Sequence, residues 1–330
     1  MSDVADGEAG RFRHEPVLLA RIVDLFAPVP SGWVVDATVG GAGHAAAILA
    51  RHQHLRVLGL DRDADALAAA SEVLRPFGER ALLHHVRFDA LGDAVQQMGT
   101  TPVSGVLFDL GVSSPQLDRA DRGFSYRHDA PLDMRMDREQ DRSASDIVND
   151  TDEVELARIL RAFGDERYAR RIAAAIVAAR PLATTTQLAE VVRGAIPAPA
   201  RRTGGHPAKR TFQAIRIAVN DELDILPAAV DAALDVLTPG GRCAALSYHS
   251  GEDRIVKARF RHAATGGWSG PAHLPPPSDV HPTVRLLKAG SWTPPAAETA
   301  ANRRAASARL RAVEKLAPPI TPAIAPGEPS

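Results

Sequence analysis

The chain has 330 residues, of which 45% are hydrophobic and 24% are charged, and this composition suits a soluble globular protein with a sizeable core. The 39 Lys and Arg residues nearly balance the 40 Asp and Glu residues, so the formal net charge of −1 excludes a global positive field that would attract nucleic acid or an anionic membrane. The single cysteine, Cys243, excludes an intrachain disulfide, and no apolar stretch is long enough to cross a bilayer. We therefore predict a cytoplasmic protein with no membrane association, in which any basic surface is local.

The first half of the chain alternates between strand-like and helix-like segments. Residues 16–26 predict a helix, because their apolar side chains recur at helical spacing behind Pro16. Four apolar runs then predict strands at Trp33–Val39, Arg56–Leu60, Ala81–Phe88 and Val103–Leu110, with Ala-rich helical segments such as Ala64–Leu74 between them. This alternation predicts an α/β fold, a parallel sheet covered on both faces.

The pattern changes after Gly111. Residues 112–150 are polar and predicted to be loop-like, and helices are predicted at Asp152–Phe163, Glu166–Arg180 and Gln187–Ile196. A further helical stretch at 211–237 leads into an apolar run at Arg242–Ser247, where strand and helix alternation resumes. The predicted organisation is therefore a disordered N-terminus at 1–11, an α/β domain split between 12–114 and 211–315, an inserted helical domain at 115–210, and a disordered Pro-rich tail at 316–330.

A glycine-rich turn follows the first predicted strand. Gly41, Gly43 and Ala46 satisfy the relaxed pattern of a dinucleotide-binding loop, so a nicotinamide cofactor has to be considered. Asp61 ends the second strand, where a carboxylate can accept hydrogen bonds from the ribose of any adenosine. Asp36 lies just before the glycines, where it would repel a pyrophosphate but favour a cationic methionine group, so we favour S-adenosylmethionine.

A second polar segment follows the fourth predicted strand, from Asp109 to Gln116. In a doubly wound sheet the end of this strand lies beside the end of the first strand, in the crevice where ligands bind. Taken alone, the segment is equally well explained as a Ser/Pro-rich turn.

Several strings together resemble one family. They are HEPVLL at 14–19, DATVGGAGH at 36–44, DRD at 61–63, DLGVSSPQLD at 109–118, RGFSY at 122–126, PLDMRM at 131–136, KRTFQAIRIAVNDEL at 209–223 and SYHSGEDRIVK at 247–257. With these strings the chain resembles the MraW/RsmH family, the bacterial small-subunit ribosomal RNA (cytosine-N4)-methyltransferases, over about residues 12–315. It departs from the family at Gly251, where a leucine is usual.

The resemblance implies a class I (Rossmann-like) methyltransferase domain that uses S-adenosyl-L-methionine, with a helical recognition domain inserted after the fourth strand. It also implies N4-methylation of one cytidine in the decoding region of 16S ribosomal RNA, within the small ribosomal subunit. The cofactor residues expected from the glycine loop and from the resemblance are Gly41, Ala42, Gly43, His44, Asp61, Phe88, Asp109 and Gln116.

Cytosine N4 is a poor nucleophile, because its lone pair is delocalised into the ring. Our hypothesis is that Asp109, Ser113 or Ser114 accepts hydrogen bonds from the amine, directly or through backbone carbonyls. Cys243 lies away from this segment and is interpreted as a structural thiol, whereas His249 is left open between a catalytic and a structural role. No catalytic metal is predicted, because the histidines lack spaced Asp, Glu or Cys partners.

The stretch from Pro199 to Arg216 contains basic residues and no acid. We predict RNA contacts there from Arg201, Arg202, Lys209, Arg210 and Arg216, although a solvated helix face would look the same. Two other functions stay open from the sequence: a ribosome assembly factor that binds the cofactor without catalysis, and an amino-methyltransferase that acts on DNA or protein.

Overall fold

The computed structural model describes residues 16–99, 101–113, 116, 119–202, 205–270, 277 and 280–319. The predicted disordered N-terminus at 1–11 and most of the predicted tail, residues 320–330, lie outside the described residues. Among the helices that are described, none is long and apolar enough to span a membrane.

A seven-stranded sheet forms the centre of the molecule, in the order β3-β2-β1-β4-β5-β7-β6. Its strands are β1 (Gly32–Asp36), β2 (Leu55–Asp61), β3 (Ala81–His85), β4 (Val103–Asp109), β5 (Leu237–Ser247), β6 (Val284–Leu286) and β7 (Arg309–Lys315). Strands β1 to β5 pair in parallel, whereas β7 runs antiparallel to both β5 and β6. The α/β, Rossmann-like fold is confirmed, and β6 and β7 add antiparallel pairing at one edge of the predicted parallel sheet.

Helices cover both faces of the sheet. One apolar core lies between the sheet and α1 (Leu19–Phe26), α2 (Gly43–Arg51) and α3 (Ala64–Leu74). The opposite core involves α4 (Leu91–Gln97), α10 (Glu222–Val236) and α11 (Ser250–Ala264). Val34 points into the first core and Val35 into the second, as the period of two in a strand requires. A further helix, α12 (Ala296–Ala301), precedes β7.

Among the described residues, the helices that lie between β4 and α10 in the chain have a core of their own. They are α5 (Ala144–Asp150), α6 (Glu153–Gly164), α7 (Ala169–Ala179), α8 (Thr185–Ala195) and α9 (Lys209–Asn220). Their apolar faces meet around fully buried side chains such as Leu156, Ile172 and Val192. We call this group of helices, with the loop that precedes it, the insertion. The residue boundaries predicted for the domains stay a prediction.

Two helix predictions need correction. Residues 112–150 are not all loop, because α5 begins behind a capping box in which Ser143 and Asp146 each bond to the backbone of the other. The helix predicted from Glu166 begins only at Ala169, because the buried Glu166 carboxylate accepts a hydrogen bond from the Tyr168 amide and forms a turn.

Two strands, β1 and β3, end three residues earlier than predicted. The strand predicted through Val39 is too long, because Ala37 and Val39 belong to the loop after Asp36 and are buried there. The run through Phe88 overextends β3, because Phe88 belongs to a short 3-10 helix, Phe88–Ala90, and packs against Phe108. Apolar runs indicate burial, and buried residues occur both in strands and in the loops that pack against the sheet. The sequence pattern alone therefore does not show where a strand ends.

Candidate functional site

The candidate ligand-binding crevice lies at the carboxyl ends of β1 and β4. These strands are neighbours, but the chain continues from β1 towards β2 and β3 on one side, and from β4 towards β5 on the other. Ligands of open α/β sheets bind outside the carboxyl ends of the strands at such a point. The two strand ends are tied together there, because the Asp109 amide donates to the Thr38 hydroxyl at 2.7 Å.

The loop between β1 and α2 is held in an unusual conformation. Gly40 has φ +49°, and Ala42 has φ +60° although it is not a glycine. Space around Gly41 is open, since a Cβ there would meet no atom within 4 Å, whereas a Cβ at Gly43 would lie 2.4 Å from Pro16 Cγ. Left-handed backbone outside glycine is strained and concentrates at functional sites, and this loop exposes backbone to a ligand at Gly41.

Asp61 fixes the same loop from the end of β2. Its Oδ2 accepts from the Gly40 amide and its Oδ1 from the Asp63 amide, each at 2.9 Å. Burial raises the pKa of Asp61 above its ordinary value, against the effect of these two hydrogen bonds. A carboxylate has about four acceptor positions, so Asp61 keeps acceptor capacity for a ligand hydroxyl.

Asp109 is the centre of a polar cluster at the end of β4. Its Oδ1 accepts from the Tyr248 hydroxyl at 2.9 Å, and its Oδ2 lies 3.4 Å from Nδ1 of His44. The Asp109 side chain is 28% exposed while that of His44 is 5% exposed, so the carboxylate reaches the crevice and the imidazole lies behind it. Burial and the neighbouring Asp109 charge raise the pKa of Tyr248, so its hydroxyl keeps its proton and donates.

His44 lies between two acceptors. Its Nε2 is 3.1 Å from the Val17 carbonyl oxygen, which can only accept, and its Nδ1 faces Asp109. Burial lowers the pKa of His44, but the hydrogen bond and charge of Asp109, with Asp36 and the Val17 carbonyl, outweigh it, so the pKa is raised overall. This geometry favours the imidazolium, whose positive charge would then lie beside the Asp109 carboxylate.

Asp36 is buried beneath this cluster at the end of β1. Burial raises its pKa from 3.8 to about 7, against the attraction of His44 and with a further increase from Asp109 and Asp61. Three carboxyl groups, those of Asp36, Asp61 and Asp109, therefore influence one another electrostatically at this point. Such a site favours a cationic ligand over a pyrophosphate.

The Asp36 pKa leads to a stability prediction. Between pH 4 and 7 the folded chain holds a proton on Asp36 that the unfolded chain has released, so this group makes stability fall as pH rises through that range. We expect Asp36→Asn to remove this fall and to gain stability relative to wild type by up to about 1.4 kcal/mol for each pH unit in the range. Urea unfolding at pH 4.5 and pH 8 measures the difference, with the exposed Asp24→Asn as the control. An Asp36→Asn difference that does not grow with pH would contradict the raised pKa.

A buried chain of contacts supports the segment after β4. The Ser113 amide donates to Gln116 Oε1 at 3.0 Å, and Gln116 Nε2 donates to Asp63 Oδ2 at 2.8 Å. Asp63 in turn lies 2.9 Å from Nη2 of Arg122, and both side chains are almost fully buried. Gln116, predicted to bind the cofactor, therefore uses its amide group to position Ser113. The Ser113 Oγ is buried and has no hydrogen-bond partner among the described residues.

The other predicted site residues lie as follows. Phe88 is half-buried, with its ring edge-on to Phe108 at 6.0 Å. Ser114 lies outside the described residues. Neither the catalytic assignments nor the cofactor contacts of single residues are tested by this geometry, and they stay predictions.

The predicted RNA-contacting residues differ in their surroundings. Arg201, Lys209 and Arg210 are exposed, and nothing is described of the Arg202 side chain. Arg216 is only 14% exposed and forms two hydrogen bonds of 2.8 Å with Glu222. Its charge is thus compensated within the chain, which leaves the exposed three as the better candidates.

Sequence reasoning left some roles open and missed others. His249 caps α11, since its Nδ1 accepts from the Gly251 amide at 3.2 Å, and a Cβ on Gly251 would lie 2.9 Å from the Leu223 side chain. Cys243 is buried, and burial raises its pKa, as suits a structural thiol.

Tyr248 was missed, although its place at the end of β5, next to β4, could have indicated it. In the described ranges, no group of three or more His, Cys, Asp or Glu side chains could hold a metal ion.

Comparison with known proteins gives consistent matches. The model of the MraW methylase family matches residues 11–316. The Ribosomal RNA small subunit methyltransferase H of Thermobifida fusca is 53% identical over 313 residues, which cover 93% of this chain and 94% of that protein. The protein of the same name from Saccharopolyspora erythraea is 51% identical, with 94% and 96% covered.

The chain also matches a solved structure, at much lower sequence identity. An rRNA methylase from Streptococcus thermophilus is 13% identical, with a TM-score of 0.40, and the match covers 90% of this chain and 95% of that one. A family match over nearly the whole chain, together with relatives about half identical over almost their full lengths, shows that this protein belongs to the MraW methylase family.

Proposed function

We propose that the protein transfers a methyl group from S-adenosyl-L-methionine to the exocyclic N4 of a cytidine in the decoding region of 16S ribosomal RNA. The observation that carries this is the Asp109 carboxylate, presented to the crevice between β1 and β4 and held by Tyr248 and His44. The names of the relatives, which specify small-subunit ribosomal RNA, support the substrate class. The protein would act in the cytoplasm on the small ribosomal subunit.

The residues present fit the cofactor. The loop at Gly40–His44 offers exposed backbone, Asp61 offers acceptor capacity for a ribose, and the carboxyl groups of Asp36 and Asp109 favour positive charge. When bound, S-adenosylmethionine supplies an electrophilic methyl carbon on a positively charged sulfur.

The chain's own task is to align the amine and to accept its proton. N4 must lose one of its two protons when it gains a methyl group, and the exposed part of the Asp109 carboxylate can accept a hydrogen bond from it. The raised pKa of His44 favours a positive charge beside this carboxylate, and Tyr248 fixes its orientation. Alignment of reacting groups can contribute about 7 to 11 kcal/mol to lowering a barrier, so positioning is the larger part of the catalysis.

Ser113 is predicted to help hold the amine. Its hydroxyl is buried beside the crevice without a partner in the described part of the chain, and its Cβ would lie 3.7 Å from a Cβ at Gly40. We expect Ser113→Ala to lower the methyl-transfer rate about tenfold, the effect of one hydrogen bond, while cofactor affinity changes little. Single-turnover rates and calorimetric titration with the cofactor separate the two. Full transfer rates in both the Ser113→Ala and Ser114→Ala enzymes would remove these serines from the mechanism.

The function is tested by transfer of radiolabelled methyl groups to purified small subunits, naked 16S ribosomal RNA and DNA. We expect label in the small subunits or their RNA and background in DNA. Cofactor binding without transfer to any substrate would instead support an assembly factor without catalysis, and label in DNA would contradict the proposed substrate.

A further inference from the structure

Two stacked rings lie at the surface of the insertion. The rings of Tyr126 and His206 have centroids 4.2 Å apart and planes 11° from parallel. Tyr126 also meets Phe212 edge-on at 5.7 Å, and Phe212 belongs to the buried core of the insertion. His206 is exposed, so it is the outer ring of the stack, and Tyr126 connects it to the buried core through Phe212.

The His206 ring is held in one orientation. Its Nδ1 accepts from the Ala208 amide at 3.2 Å, so the ring hydrogen lies on Nε2. Burial, with the nearby charges of Arg127 and Arg193, lowers the pKa of His206. At neutral pH the outer ring is therefore a neutral, flat surface with one N–H donor at its edge.

Two exposed arginines lie close enough to affect this ring electrostatically. Arg127 follows Tyr126 in the chain, and Arg193 lies in the last turn of α8. Neither is seen in an ion pair within the described residues. Arg201 lies at the end of the same helix as Arg193, since its guanidinium donates to the Ile196 and Gly194 carbonyls.

We propose that Tyr126, His206, Arg127 and Arg193 form a platform for single-stranded RNA, which we call the stacking platform. An unpaired base stacks on His206, and the two guanidinium groups bind the phosphates on either side of it. Proteins that bind single-stranded nucleic acid without sequence preference combine aromatic stacking of bases with cations that bind phosphates. An acidic peptide could pair with the arginines, but its carboxylates would not stack on the His206 ring. The inference rests on the proposed function only in taking the substrate to be RNA.

The test measures the affinity of the full-length protein for a short, labelled, single-stranded oligoribonucleotide and its KM for small subunits. We expect His206→Ala to weaken binding about 5- to 150-fold, as loss of one stacked base does. The double variant Arg127→Gln, Arg193→Gln should reduce the slope of log affinity against log salt by about 1.4, which corresponds to two phosphates of a single strand. Arg75→Gln is the matched control, because it removes an exposed arginine from the sheet domain.

The outcomes separate the two proposals. Unchanged RNA affinity and unchanged KM in His206→Ala and in the double variant would overturn the stacking platform, even if the wild type methylates cytidine. Weaker binding to intact subunits with unchanged binding to naked RNA would overturn it in favour of a ribosomal protein as partner. RNA binding that depends on His206, in a wild type that methylates no cytidine, would overturn the proposed function but not the stacking platform.

Two controls accompany these variants. Unchanged cofactor affinity shows that each variant is folded, and Tyr126→Phe, which keeps both rings, should bind RNA like the wild type.

Discussion

Replacing Asp109 with asparagine is expected to lower the rate of methyl transfer at least 100-fold. The carboxylate accepts from Tyr248 at one oxygen and faces His44 with the other. An asparagine can accept at only one of these positions, so its NH2 group must face a donor, and the negative charge that would receive the N4 proton is lost. Positioned proton acceptors contribute about 10²- to 10⁴-fold to rates.

Two variants show whether the carboxylate itself is responsible. Tyr248→Phe removes one donor but keeps the charge, so we expect a fall of only about tenfold. Asp93→Asn changes an exposed carboxyl group on α4 and should leave the rate unchanged. Single-turnover rates at saturating cofactor provide the comparison. An Asp109→Asn enzyme that stays within about twofold of wild type would remove Asp109 from the reaction.

Replacing Arg122 with alanine is expected to lower the free energy of unfolding by about 3 to 5 kcal/mol. The Arg122 side chain is 2% exposed and that of Asp63 is 3% exposed, with 2.9 Å between them, so the substitution leaves a carboxylate buried without its counterion. The guanidinium also donates to the carbonyls of Arg135 and Met136, both at 3.0 Å, and those bonds are lost as well. Urea unfolding monitored by circular dichroism gives the difference.

The neighbouring Arg119 provides a matched control. It pairs with Asp65 at 2.7 Å, but its side chain is 46% exposed and that of Asp65 is 50% exposed. Exposed pairs contribute little to stability, so Arg119→Ala should leave the midpoint of urea unfolding nearly unchanged. Equal losses in the two variants would show that burial does not determine the contribution of the Arg122 pair. Because Asp63 also holds Gln116, we further expect Arg122→Ala to weaken cofactor binding.

Most of the sheet could be predicted from the sequence, because buried parallel strands form short apolar runs between helices of regular period. The antiparallel edge could not. Strand β7 mixes four charged with three apolar residues from Arg309 to Lys315, and β6 has only three residues, so neither produces a long apolar run. Helix α5 was missed because its seven residues follow a long polar stretch, although its capping box was present in the sequence.

The site was predictable where local sequence determines it. The glycine loop, Asp61 and Asp109 follow directly from strands that the sequence reveals. Tyr248, Asp63 and Arg122 depend on contacts across long distances in the chain, since Tyr248 meets Asp109 over 139 positions. The basic character of Arg216 was evident, but its compensation by Glu222 depends on the turn at Asp221, which only the structure shows.

The most direct test of the proposed chemistry is nucleoside analysis of 16S ribosomal RNA after incubation of small subunits with S-adenosylmethionine and either wild-type or Asp109→Asn enzyme. We predict N4-methylcytidine as the product of the wild type, and little or none from the variant. A methyl group on another atom, such as cytosine C5, or equal amounts of N4-methylcytidine from both enzymes, would contradict amine methylation at the Asp109 crevice.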